Sequence, residues 1–189
     1  MTRLFQSAAR AFTLLETMIV IALAAGMMTT LGFLIYNFNG TSAYEQTLSQ
    51  SSGSASAVLR EVESLVLPAD AVLQTHTFSS TTYTSTSTSI VLEIPSIDSS
   101  GNVISSTYDY AAFYTSGTNA YRLLQANASS KRASGTKLLS SSVKTLTFSY
   151  NNTDFTKVSS TTVDIQTQAQ VKQNTVSDHR REQMRLRNY

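Results

Sequence analysis

Few residues in this 189-residue chain are of a type that could do chemistry. There are two histidines, His76 and His179, and no cysteine, which removes thiolate nucleophiles, thiolate metal sites and disulfides from consideration. His76 sits in Gln74-Thr75-His76-Thr77, which reads as a strand with the imidazole facing solvent rather than as a catalytic base. No HExxH, Walker loop, GxGxxG or GxSxG occurs. Asp98, Asp109 and Asp154 lack the repeated spacing of a metal-binding loop. The expectation is therefore a protein that is not an enzyme and takes no cofactor or metal. What remains is charge pairing, at an acid beside an apolar run, Glu16, and at a basic cluster near the end, His179-Arg180-Arg181-Glu182-Gln183-Met184-Arg185-Leu186-Arg187.

Glu16 must be positioned by the segment around it. From Thr17 to Tyr36 twenty residues carry no charge, and at about 1.5 Å per residue they span a hydrocarbon layer of about 30 Å. Arg3 and Arg10 precede this run and the next base after it is Arg60, so the positive-inside bias keeps the N-terminus cytoplasmic and exports the body. Three readings compete: an ordinary signal peptide, an uncleaved anchor, and a leader removed just before the apolar run. The first has a candidate site in Ala22-Leu23-Ala24, but the apolar run continues past Ala24 and Glu16 would interrupt the apolar core.

Ala11-Phe12-Thr13-Leu14-Leu15-Glu16 resembles the site cut by prepilin peptidase in the type IV pilin family, with Ala11 where the family usually has Gly. The resemblance implies cleavage between Ala11 and Phe12, N-methylation of Phe12, and Glu16 as the fifth-position acid that neutralises a neighbouring subunit's N-terminal amine and sets helix register. Physical cost points the same way. A carboxylate at mid-membrane costs on the order of 3 kcal/mol and needs a partner. An amine at Phe12 would lie four residues away, about one helical turn. The plainer reading is an interfacial acid paired with Arg10. Removal of residues 1–11 would take two of the 14 basic residues and no acid, leaving 12 bases against 12 acids and arguing against electrostatic capture of nucleic acid as the main role.

Beyond a polar interruption at Asn37, Asn39 and Gly40, Tyr44, Leu48, Ala55, Val58, Leu59, Val62, Leu65 and Val66 recur three or four apart, an amphipathic stripe that ends at Pro68. Gly26, Gly32 and Gly40 are places where such a helix could kink, or where two helices could approach closely in a membrane. From Val72 onward β-branched and aromatic residues predict strands at Val72–Phe78, Ser89–Ile94, Val103–Tyr114, Ala120–Ala126, Lys144–Tyr150 and Thr161–Lys172. Asp98-Ser99-Ser100-Gly101-Asn102 reads as a turn, and Leu146, Phe148 and Tyr150 alternate with Thr145, Thr147 and Ser149 as one buried and one wet face. Ser79–Ser89 is low in complexity and reads as a mobile loop or edge strand. Asn-x-Ser/Thr patterns stand at Asn39, Asn127 and Asn151, the number expected by chance in so Ser/Thr-rich a chain.

The fold class is α+β, a long N-terminal helix packed against an antiparallel sheet body, and the resemblance implies the pilin fold. The expected organisation is a leader at 1–11, a helix at 12–67 whose part at 12–38 is the transmembrane and assembly segment, and an exported β-rich body at 68–189. Tyr121-Arg122-Leu123, Leu138-Leu139, Leu146 to Tyr150 and the closing Arg185-Leu186-Arg187-Asn188 together resemble the J or W branch of minor pilins and type II secretion pseudopilins. This implies a structural subunit that initiates or caps a filament. Its partners would be other subunits, prepilin peptidase and an inner-membrane assembly platform. The alternative is a DNA-uptake or surface-binding module using Arg180, Arg181, Arg185 and Arg187, against which stands the plainer reading of a terminal strand with one solvated basic face.

Overall fold

The computed structural model describes residues 13–172 and 174–187. A single helix, α1 (Leu14–Val66), is followed by ten strands: β1 (Ala71–Leu73), β2 (Thr75–Phe78), β3 (Thr81–Thr84), β4 (Ser89–Ile97), β5 (Val103–Ser116), β6 (Asn119–Gln125), β7 (Gly135–Ser140), β8 (Val143–Tyr150), β9 (Ser160–Val171) and β10 (Asn174–Arg185). The chain divides into two units, one through Ala43 and one from Tyr44 onward.

In the first unit the helix begins where Thr13 caps it. The Glu16 backbone N–H donates to Thr13 Oγ1 at 3.3 Å, satisfying one of the donors that a helix start leaves over. The helix runs through Gly26, Gly32 and Gly40 without a break, so neither the polar interruption nor the glycines end it. Its hydroxyls turn inward: Thr17 donates to Leu14 O, Thr29 to Ala25 O and Thr30 to Gly26 O, at 2.8, 2.8 and 2.9 Å. Each polar group so satisfied costs less in an apolar medium. The segment is long and apolar enough to cross a membrane, and its side chains are exposed throughout.

In the second unit the predicted stripe becomes the core. Ala55, Val58, Leu59, Val62, Leu65 and Val66 are buried and pack on Ile90, Leu92 and Ile94 of β4, Phe113 of β5, Leu124 of β6, Phe148 of β8 and Ile165 of β9. Leu67 N–H donates to Glu63 O as the helix ends, and Pro68 cannot continue it. The strands form three antiparallel sheets, in the orders β1-β4-β5-β6-β7, β10-β9-β8 and β2-β3. The larger two are joined by Phe148 N–H to Ser87 O at 2.8 Å and by Tyr150 Oη, which donates to Thr86 O and Ser89 O at 2.9 Å each.

Several expectations need correction. Val72–Phe78 is two strands: Leu73 pairs with Val91 and Thr75 with Thr84, while Ser85 reaches back to Leu73 O and Gln74 O and separates them. The Ser/Thr tract contains an edge strand, β3, and a closing loop in which Ser85 is buried. β4 is covered on both faces, because the β2–β3 hairpin lays Phe78 over Val91 and Ala112 opposite α1. His76 does not face solvent freely. Its ring stacks on Tyr110 with centroids 3.8 Å apart, and its Nε2 lies 3.3 Å from Gln125 Oε1. Asp98 does hold the expected turn, accepting from the N–H groups of Ser100 and Asn102 while Gly101 takes a positive φ of 87°.

Candidate functional site

Ala11 and Phe12, the expected cleavage pair, lie outside the described residues, as does Asn188 of the closing motif. Glu16 is placed in the first turn of α1 with an exposed side chain. An acid there is favoured by the partial positive charge of the helix start. Thr13-Leu14-Leu15-Glu16 has the Thr-x-x-Glu spacing of a capping box, a signal that the reading of this segment as a processing site passed over. C-terminal to Glu16, every large apolar side chain from Met18 to Phe38 is at least half exposed within the chain. So long an apolar surface needs either lipid or other helices to cover it.

The four candidate arginines are split by the two-residue period of β10. Arg180 turns toward α1: its Nε donates to Asp178 Oδ2 at 2.8 Å and its Nη2 to Ser52 Oγ at 2.6 Å. Arg181 and Arg185 occupy the alternate positions with His179, whose Nε2 is 2.8 Å from Asp164 Oδ1 on β9. The outward residues beside them, Thr145, Thr147, Ser149, Thr162 and Gln166, include no Phe, Tyr or Trp, so this face has no ring on which a base could stack. Arg187 lies past the strand end, where its backbone N–H donates to Ala69 O and it shares a shallow cleft with Asp70 and Tyr108. The set is therefore two exposed arginines together, one paired on the opposite face and one apart.

The best-built polar site is one the sequence did not single out as such. Asp109 on β5 is wholly buried and accepts four hydrogen bonds: Ser96 Oγ at 2.8 Å, Asn127 N–H at 2.8 Å, Ser130 Oγ at 2.7 Å and Arg132 Nη1 at 2.7 Å. Burial alone would raise its pKa. The donors from Asn127, Arg132, Ser130 and Ser96 outweigh burial and hold the carboxyl below its ordinary value. Arg132 also donates to Pro95 O at 2.6 Å, so the 126–134 loop is fastened to the sheet at both residues. A second cluster fastens the helix: Glu61 on α1 takes Arg122 of β6 and Lys137 of β7, the latter at 2.7 Å. Desolvation opposes ionisation of Glu61, but these two cations prevail and its pKa is lowered.

Asp98 and Asp154 serve local turns, Asp154 by accepting from Thr156 N–H at the start of a short 3-10 turn, Phe155–Lys157. Among the described residues no three His, Cys, Asp or Glu side chains converge as metal ligands. Asn151 is held by Ser159 and Ser160 through both ends of its amide, and Asn127 Oδ1 accepts from Ser129 N–H. No known protein family, curated protein or solved structure matches this chain.

Proposed function

We propose that this chain is a structural subunit of a type IV pilus or type II secretion pseudopilus, a minor pilin or pseudopilin that helps to initiate or cap the filament. In this reading prepilin peptidase removes residues 1–11, Phe12 becomes the methylated N-terminus, and Glu16 pairs with a terminal amine as α1 packs among equivalent helices. The subunit waits in the inner membrane with its N-terminus cytoplasmic and its body exported, and then joins the filament. The observation that carries the proposal is one helix with two different surfaces. From Leu14 to Phe38 it is apolar and exposed on all sides, with a single acid in its first turn; from Ser51 to Val66 one stripe is buried under antiparallel sheets. A helix needed only to build the body has no use for the first half, and a simple anchor gains nothing from an acid at its entry.

The test is Glu16→Ala. The altered chain is expected to insert in the membrane and lose its leader as usual, while its incorporation into filaments, read by immunoblotting of sheared surface or periplasmic material, is blocked. Assembly at the unaltered level would refute the register role.

A further inference from the structure

We propose that β7 is an interface at which two copies of this chain pair edge to edge. β7 ends the five-stranded sheet, with β6 on one side and, among the described residues, no strand on the other. An open edge offers unpaired backbone donors and acceptors, and proteins usually blunt it with charge, proline, bulges or very short strands. The other edges of these sheets are blunted in this way. β1 has three residues and β3 has four. β10 carries Arg180, Arg181, Glu182 and Arg185. β8 is engaged at its ends by Thr118 and Ser87.

β7 is six residues long, has no proline, and its one charge, Lys137, is neutralised by Glu61 on the helix. Its one irregularity is the shift at Leu139 near the strand end. It also presents an apolar residue, Leu138, 51% exposed. Leu138 stands opposite Tyr121, Tyr121 opposite Tyr114, and the Tyr114 ring is 5.5 Å from Tyr121 and 4.9 Å from Tyr83. An apolar row thus crosses β3, β5 and β6 and stops at an exposed leucine on an open edge.

A second copy completes both the row and the ladder. Antiparallel pairing of β7 with itself, about a twofold axis at Leu138, sets this leucine beside its own counterpart and carries the row on to the second copy's Tyr121. In that register Lys137 faces Leu139 rather than another Lys137, so like charges are not opposed.

The chain has no cysteine, so single introduced cysteines report without background. Directly opposed Cα atoms in an antiparallel pair are about 4.5–5.5 Å apart, within reach of a disulfide. Thr136 and its counterpart would be offset by four residues, about 13 Å along the strands, and out of reach. In the full chain in membranes, mild oxidation of Leu138→Cys is expected to give a linked dimer at least about tenfold faster than Thr136→Cys, the separation expected for opposed against unopposed positions. Equal rates for the two chains, or no dimer from Leu138→Cys, would overturn the pairing. The readout requires neither leader removal nor a filament, so its outcome is separate from that of Glu16→Ala.

Discussion

At the scale of single residues, Asp109 shows how much a buried charge depends on its donors. Asp109→Ala would leave the Arg132 guanidinium without its carboxylate and release Asn127 and Ser130, a loss of about 3–5 kcal/mol by comparison with other broken buried pairs. The thermal midpoint of the full chain measures it. Acid should act through the same group. Because the folded Asp109 has a lowered pKa, its contribution is complete above the unfolded carboxyl's value of about 3.9 and is lost as pH falls further, through the folded value. The Asp109→Ala chain is expected to lose part of its acid-dependent decline in stability; an identical decline would show that other carboxylates govern it. Nothing in the sequence near Asp109 announced this site, since its donors come from 13 to 23 positions away and only the fold gathers them. Glu16, by contrast, stood out at once, as an acid beside a charge-free run, while the Thr13 cap three residues before it is a local signal that was equally available.

At the scale of elements, α1 has two halves that should respond oppositely to the same change. Leu59→Ala removes a side chain that is 6% exposed in the core and is expected to cost about 2–5 kcal/mol of body stability. Leu23→Ala removes one that is 60% exposed and is expected to leave the body's thermal midpoint unchanged. Equal effects would mean that the apolar half also supports the body. Tyr150→Phe tests the join between the sheets: losing the hydroxyl that donates to Thr86 O and Ser89 O should cost about 1 kcal/mol for each lost bond. The helix stripe was legible because a 3.6-residue period sustained over Ala55 to Val66 has no other reading. β7 was not, because Gly135-Thr136-Lys137-Leu138-Leu139-Ser140 does not alternate and most of it stays exposed at an edge. The β2–β3 hairpin was hidden by its composition, since a run of Thr and Ser suits an edge strand and a loop equally well.

At the scale of the whole molecule, the α+β architecture followed from the order of patterns along the chain, a long helical period and then short β-rich runs. Its division into three sheets did not, because it depends on where Ser85 and Tyr150 attach one strand to another. The exposed apolar helix makes the isolated chain physically incomplete, and the proposed assembly completes it once the terminal residues are processed. The most direct measurement is the intact mass of the protein extracted from native membranes. A chain beginning at methylated Phe12 is the expected result. A chain that retains residues 1–11, or one that begins at Ala25, would contradict the account.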